Sequence, residues 1–152
     1  MTDNAEELRQ RVLDLRIELG ILNDRVANAC GLRPRDLDIL DVIDREGNCT
    51  PTHLCSRTGI HGATMTGILG RLRRDGWIER IASTTDARSA TVTATARTME
   101  IRAMYAAADE KTAHLTEELS PMQRETISHF LQRVSTIARD VADHINAPRT
   151  RA

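Results

Sequence analysis

Residues 61–96 read HGATMTGILGRLRRDGWIERIASTTDARSATVTATA, and this stretch decides the fold. Residues 62–75 repeat apolar side chains at helical spacing and stop at Gly76, which predicts a helix. Residues 78–82 and 90–95 then alternate with period two, which predicts two short strands joined by TTDARS. A helix followed by such a ribbon is the second half of a winged helix-turn-helix.

The preceding residues supply the first half of that motif. Residues 35–45 carry apolar side chains at helical spacing and stop at Gly47, so they predict a helix. Thr50 and Pro51 form a cap and a first-turn proline, which predicts a short helix to about residue 57 that ends at Gly59. The expected fold is therefore mainly α with a small two- or three-stranded β wing.

Long apolar seams predict helices on both sides of this unit. Apolar positions at alternating steps of four and three run from Leu8, from Ile101 and from Ile127. Seams of this length in a small chain are more often shared between chains, so we expect a homodimer, with a monomeric bundle as the alternative. The residues expected at the dimer interface are Leu8, Val12, Leu15, Leu119, Ile127, Leu131, Val134 and Val141.

These elements divide the 152 residues into four expected parts. An N-terminal dimerisation helix takes residues 1–32, and a winged helix-turn-helix DNA-binding domain takes residues 33–98. C-terminal dimerisation helices follow over residues 99–147, the last of them opened by the capping box at Ser120. Residues 148–152 are expected to form a disordered tail.

Charge is distributed unevenly along the chain. The net charge is −1, yet residues 57–102 hold eight arginines against four acidic residues, a local charge of +4 that leaves −5 elsewhere. A basic zone on an otherwise acidic protein is typical of nucleic-acid binding, and a solvated charged face is the alternative.

The helix over residues 62–75 is the expected recognition helix, because the second helix of this motif enters the major groove. Its outward positions include Gly67 and Gly70, which together cost about 2 kcal/mol of helix stability against alanine. That cost indicates that another molecule approaches this face. The residues expected to contact DNA are Thr50, Thr52, His61, Gly62, Thr64, Thr66, Gly67, Arg71, Arg74, Asp86 and Arg88.

Asp86 and Arg88 lie at the tip of the predicted wing, among small polar neighbours. A narrow minor groove attracts an inserted arginine, and Arg88 at a hairpin tip could reach one. Asp86 would orient Arg88 or Arg80 through a charge-assisted hydrogen bond, or would simply form an Asx-type turn.

With these features in place, the chain resembles the MarR family of bacterial transcriptional regulators over nearly all its length, most specifically over residues 61–96. The resemblance implies an obligate homodimer with interlocked terminal helices, whose two winged lobes straddle a pseudo-palindromic operator in double-stranded DNA. It also implies a repressor released by a small phenolic or lipophilic ligand. One departure lies after the ribbon, where Thr98 replaces the family's usual glycine.

The cysteines favour no cofactor or metal site. Cys30, Cys49 and Cys55 have no CxxC spacing, and the set Cys49, His53 and Cys55 fits no common zinc pattern. Cysteine usage and the lack of a leader or a long apolar run predict a reduced, cytoplasmic protein without a membrane span. Release through cysteine oxidation, as in some relatives, is an alternative switch.

Enzymatic activity is not expected. Cys49 and His53 are the nearest approach to a nucleophile and base, without a third orienting group, and the chain has no phosphate-binding loop. The main rival to a DNA-binding regulator is a winged-helix protein-interaction module. Steep salt dependence of binding would distinguish DNA binding from that alternative.

Overall fold

The computed structural model describes residues 2–82 and 90–146, in which six helices and two strands follow one another. The elements are α1 (Thr2–Ala29), α2 (Pro34–Glu46), α3 (Pro51–Thr58), α4 (Gly62–Arg74), β1 (Ile78–Ile81), β2 (Thr91–Ala94), α5 (Thr98–Glu117) and α6 (Pro121–Asn146). This order confirms the expected winged helix-turn-helix between long terminal helices.

Local sequence signals explain where the short helices begin and end. Thr50 caps α3 by accepting a hydrogen bond on its hydroxyl oxygen from the His53 N–H at 3.1 Å. Gly59 ends α3 at φ 70°, a left-handed backbone that favours glycine. At α6, the Ser120 N–H donates to the Gln123 Oε1 at 2.8 Å, and the Gln123 N–H donates to the Ser120 Oγ at 3.3 Å, so the predicted capping box is confirmed.

The wing is a two-stranded antiparallel ribbon, to which one residue outside the strands adds an isolated bridge. β1 and β2 pair in the register that sets Ile78 opposite Ala94 and Ile81 opposite Thr91. Cys49 adds an isolated bridge to Val92, with backbone N–H to O distances of 3.0 and 2.8 Å. The segment between α2 and α3 is therefore joined to the base of the wing.

The junction after the ribbon is held by threonines and an arginine. The Thr95 hydroxyl donates to the Gly76 carbonyl at 2.7 Å, and the buried Thr98 hydroxyl donates to the Thr95 carbonyl at 3.0 Å. The Arg97 guanidinium lies 4.1 Å from the centre of the Trp77 ring. These contacts start α5 with Thr98, and no glycine is needed at the junction.

The hydrophobic core lies within the winged unit. Its largest fully buried side chains come from α2, α3, α4 and the turn before β1: Leu37, Ile39, Leu40, Ile43, Leu54, Met65, Ile68, Leu72 and Trp77. Val26 and Ala27 of α1 and Ile101 of α5 also belong to this core. Each such side chain stabilises the fold by about 1.5–3 kcal/mol through removal from water.

Polar contacts attach α1 and α5 to the winged unit. The Tyr105 hydroxyl donates to the Asn23 Oδ1 at 2.7 Å, and the Asn23 amide donates to the Asp38 Oδ1 at 2.9 Å. Arg102 pairs with Asp44 at 2.7 Å. The end of α1 and the start of α5 are thus fixed against α2.

The apolar seams of α1 and α6 are largely uncovered. Leu15 is 48% exposed, and Leu131 and Val141 are 46% and 53% exposed. By contrast, the core side chains of the winged unit are almost fully buried. In the part of the chain that the structure describes, no helix is both long and apolar enough to cross a membrane.

Candidate nucleic-acid interface

Helix α4 presents one buried and one open face. Met65, Ile68, Leu69 and Leu72 are buried against the core. The predicted outward positions Gly67 and Gly70 are exposed on the open face. Other exposed residues of α4 are Gly62, Ala63, Thr64, Thr66 and Arg74. The Thr66 hydroxyl donates to the Gly62 carbonyl at 2.9 Å, which holds that side chain against its own helix.

The two glycines of α4 are not required by packing within the chain. A Cβ atom added at Gly70 would meet nothing within 4 Å, and one at Gly67 would meet only the Arg71 Nη1 at 3.7 Å, an ordinary contact. Alanine at either position would favour the helix by about 1 kcal/mol. The missing side chains therefore leave a shallow channel on the outer face of α4.

Arg71 is engaged by a buried carboxylate. Its Nε and Nη2 atoms donate to the two carboxylate oxygens of Asp36, each at 2.8 Å. Asp36 is only 4% exposed, and its hydrogen bond raises the pKa of the Arg71 guanidinium. This bidentate pair joins α2 to α4, a role that the expectation of a DNA contact at Arg71 did not include.

A basic cleft of about 430 Å³ lies where α2 and α4 begin. His61 and Thr64, both expected DNA contacts, line it together with Arg33, Arg35 and the Arg71–Asp36 pair, so Arg33 and Arg35 give it a net positive charge. Neither Arg33 nor His61 caps its helix through the side chain, so the positive end of each helix dipole lacks a side-chain acceptor. Such a cleft favours an anion.

Arg33 and Arg35 were missed by the sequence analysis. They flank Pro34, the first residue of α2, outside the local basic zone that drew attention to residues 57–102. The signal that could have found them is the pair of arginines around a first-turn proline, where a helix dipole begins.

The other expected DNA contacts lie at the start of α3 and in the wing. Thr50 is half-buried as the α3 cap, and Thr52, the second residue of α3, is exposed. Asp86 and Arg88 lie outside the described residues. On the described ribbon, Arg80 is exposed on β1.

A second cleft, of about 310 Å³, separates α4 from the base of the wing. Apolar side chains of Leu69, Ile78 and Val92 line it beside Arg73 and Arg80. The arrangement can take a small molecule with an apolar body and a negative group.

The expected dimer residues lie along α1 and α6. Leu8, Val12 and Val134 line an apolar cavity of about 640 Å³ between these helices, to which Leu13 and Phe130 also contribute. The other expected residues are exposed or half-buried along the same helices or just before α6: Leu15, Leu119, Ile127, Leu131 and Val141.

The cysteines are free thiols, with Cys49 buried and Cys30 and Cys55 half-buried. Burial raises the pKa of both the Cys30 and the Cys49 thiols, which keeps them protonated and weakens them as nucleophiles. The structure brings Cys49 and His53 together with Glu46 rather than with Cys55.

Comparison with known proteins agrees with this geometry. The MarR family model matches residues 31–89, which span α2, α3, α4 and β1. A relative in Bacillus subtilis (strain 168), the uncharacterized HTH-type transcriptional regulator YcgE, is 24% identical over 148 residues, 94% of this chain and 96% of the relative.

Solved structures share the fold at low identity. A point mutant of MepR from a multidrug-resistant S. aureus clinical isolate has a TM-score of 0.68 at 16% identity, over 89% of this chain and 96% of that one. Streptococcus pneumoniae FabT, solved in complex with DNA, has a TM-score of 0.64 at 19% identity, over 89% and 99%. The matched family consists of transcriptional regulators, so the expectation that the chain is not an enzyme is confirmed.

Proposed function

We propose that this chain is a MarR-family, sequence-specific DNA-binding regulator of transcription that acts as a homodimer in the bacterial cytoplasm. The observation that carries the proposal is the outer face of α4. Gly67 and Gly70 leave room there that no described part of the chain uses, and the exposed Arg74 lies one turn further on.

In the proposed complex, α4 lies in the major groove. Thr64 and Thr66 meet base edges or thymine methyl groups, and Arg74, with its side chain 70% exposed, binds a phosphate. Arg71 holds α4 in place through Asp36 and keeps its Nη1 amino group for a phosphate. Thr50, Thr52, His61 and Gly62 complete the expected contacts.

The basic cleft at the start of α2 and α4 is assigned to a backbone phosphate. Arg33 and Arg35 supply charge, and the two helix dipoles point their positive ends into the same space. A phosphate contact at this point fixes the register of α4 along the groove but carries no sequence information itself.

The wing is assigned to the adjacent minor groove. Arg88 enters the groove, and Asp86 orients it or shapes the turn. Two observations support this assignment. The described strands β1 and β2 pair as an antiparallel ribbon, and both residues lie in the sequence that connects them. The family resemblance also supports a position in the wing for this pair.

Dimerisation is supported by the exposed seams of α1 and α6. Leu8, Val12 and Leu15 on α1, and Leu131 and Val141 on α6, lie on apolar faces that the chain leaves open to solvent. Burial of such faces between two copies is strongly favourable. A two-fold dimer places two α4 helices on a pseudo-palindromic site.

We further propose that the protein is a repressor released by a small phenolic or lipophilic ligand. The cleft between α4 and the wing base is the site we favour, because a ligand there contacts both DNA-reading elements. Its arginines, Arg73 and Arg80, suit a phenolate or carboxylate beside the apolar wall.

The alternatives have weaker support. A protein-interaction module would use the channel on α4 for another helix, but it gives no reason for the basic cleft at Arg33 and Arg35. A redox switch at Cys30 or Cys49 is disfavoured because burial raises the pKa of both thiols.

Hydroxyl-radical footprinting on the DNA that flanks the gene tests the proposal. We expect two protected half-sites whose centres lie about 10 base pairs, or a multiple of this, apart. Arg88→Ala should lose protection in the minor groove beside each half-site. An even, sequence-independent footprint, or none, would contradict sequence-specific binding by a dimer.

A further inference from the structure

Three chemically different side chains converge where α2 ends and α3 begins. Glu46 is the last residue of α2, Cys49 is the residue bridged to the wing, and His53 lies in the first turn of α3. The carboxylate, thiol and imidazole ligand atoms all lie within 4.8 Å of one another. The proposed DNA contacts use none of these three groups.

The cluster is already ordered by hydrogen bonds. The His53 Nε2 lies 2.6 Å from the Glu46 Oε2, and the Arg57 Nε donates to the other carboxylate oxygen at 3.0 Å. The Cys49 thiol donates to the Gly47 carbonyl at 3.2 Å. Cys49 is 3% exposed, whereas Glu46 and His53 are exposed, so the cluster reaches the surface through the carboxylate and the imidazole.

We propose that Glu46, Cys49 and His53 form a binding site for a zinc-class divalent metal ion. One thiolate, one imidazole and one carboxylate are all ligands that Zn²⁺ accepts, and three protein ligands leave a fourth position open. Zinc bonds of about 2.0–2.3 Å place tetrahedral ligand atoms roughly 3.3–3.8 Å apart. To reach this spacing, the His53 ring and the Glu46 carboxylate, now 2.6 Å apart, must separate by about 1 Å, and the ligand pairs that include the Cys49 thiol must close to it from within 4.8 Å.

Charge and protons balance at this site. The Cys49 thiol releases its proton to solvent as the metal–sulfur bond forms, and neutral His53 binds through a ring nitrogen. The thiolate and the Glu46 carboxylate together carry two negative charges, which the divalent ion neutralises. Arg57 stays on the second oxygen of Glu46 and orients the carboxylate.

Metal binding would join three parts of the winged unit. Glu46 belongs to α2, His53 to α3, and the backbone of Cys49 pairs with Val92 of β2. An ion held by all three side chains would therefore clamp the helix-turn-helix to the base of the wing. The site itself does not depend on the proposed DNA binding, and it is tested without DNA.

Titration of the metal-free full-length protein with Co²⁺ tests the site by absorption spectroscopy. The absorption spectrum of bound Co²⁺ depends on its ligands. We expect a thiolate-to-cobalt charge-transfer band and visible bands of the intensity typical of tetrahedral cobalt, and both should disappear when Zn²⁺ displaces the Co²⁺. Cys49→Ser should abolish the charge-transfer band. Cys55→Ser is the matched control, since Cys55 lies nearby on α3 outside the cluster, and it should retain the full spectrum.

The Cys49→Ser variant could fail to fold because Cys49 is buried, so His53→Gln and Glu46→Gln test the site independently. Both of these side chains are exposed, and their substitution should leave the fold intact. Each should weaken Co²⁺ binding by about 100-fold or more while circular dichroism stays unchanged. Three results would overturn the proposal. These are a wild-type spectrum without a thiolate band, a band that Cys55→Ser removes instead, and binding that neither His53→Gln nor Glu46→Gln weakens.

Discussion

Arg71 and Asp36 form a two-point pair, Nε to Oδ2 and Nη2 to Oδ1, each at 2.8 Å, between residues 35 positions apart. Asp36 lies in the first turn of α2 and is buried, while Arg71 lies on the flank of the recognition helix. Two parallel hydrogen bonds fix rotation as well as distance. The pair therefore sets how α4 is turned relative to the core.

Asp36→Asn should destabilise the protein. The substitution leaves the Arg71 charge partly buried without its counterion, and loss of one partner of a buried pair costs about 3–5 kcal/mol. Because the Arg71 side chain is 29% exposed, we expect about 2–3 kcal/mol, measured as the free energy of unfolding in urea at a fixed protein concentration.

Asp44→Asn is the control for that experiment. Asp44 also pairs with an arginine, but the Arg102 side chain is 66% exposed, so the loss should stay below about 1 kcal/mol. Equal losses in the two variants would show that the Asp36 pair has no special role.

Gly70→Ala should stabilise the chain and weaken DNA binding. Alanine favours the interior of a helix by about 1 kcal/mol, and its Cβ meets nothing within the described chain. If DNA approaches this face, the added methyl group must clash with it. Thermal melting and DNA affinity should therefore move in opposite directions.

Gly20→Ala is the matched control, since Gly20 lies in α1, where an added Cβ also meets nothing within 4 Å. It should raise the melting temperature without changing DNA affinity. If Gly70→Ala binds DNA as tightly as the wild type, α4 does not approach DNA along this face.

Asp41→Asn should stabilise the protein in a pH-dependent way. The pKa of Asp41 is raised from 3.8 to about 6, first by burial and then by repulsion from Asp38 and Asp44. A folded-state pKa above the unfolded value means that the ionised carboxylate opposes folding. The free energy of unfolding that protonated Asp41 contributes is therefore fully present below about pH 4 and is lost as the pH rises through about 6.

The measurement is urea unfolding at pH 4 and at pH 7.5. Two pKa units correspond to about 3 kcal/mol, and partial solvation of the side chain reduces the expected gain at pH 7.5 to about 1–2 kcal/mol. At pH 4 the gain should vanish. Asp109→Asn, on the exposed surface of α5, removes the same charge and should show no such difference. A gain of equal size at both pH values would contradict ionisation as the cause.

Leu131→Asp should separate the proposed dimer into monomers. Leu131 is 46% exposed on the seam of α6, and a charge there cannot be buried between two copies. Thr136→Asp introduces the same charge about 140° around α6 and should leave the dimer intact. Light scattering reports the mass of each variant, and an unchanged mass for Leu131→Asp would refute an interface on this seam.

Much of the fold could be predicted because its signals are local. Gly47, Pro51 and Gly59 mark helix ends through backbone constraints that act within a few residues. The predicted strands were each slightly too long, since Ala82 and Thr95 lie outside the ribbon. The Thr95 hydroxyl instead donates a hydrogen bond to the Gly76 carbonyl, a contact that alternation of polar and apolar residues cannot predict.

The parts that could not be predicted depend on tertiary contacts. Nothing in the sequence pairs Arg71 with Asp36, because no periodicity links side chains on separate helices. Glu46, Cys49 and His53 straddle the end of one helix and the start of the next, so their spacing fits no recognised zinc pattern. Their proximity depends on how α2 meets α3.

The most direct test of the central claim is the salt dependence of DNA binding, measured by fluorescence anisotropy on a labelled duplex from the DNA flanking the gene. We predict tight binding by the wild type that weakens steeply with salt. The slope of log affinity against log salt concentration should be about 2 units shallower for Arg74→Ala, because the variant loses one phosphate contact in each of the two subunits. Arg139→Ala, an exposed arginine on α6, should keep the wild-type slope. Binding that is indifferent to salt, or weakened equally by both variants, would contradict DNA recognition through α4.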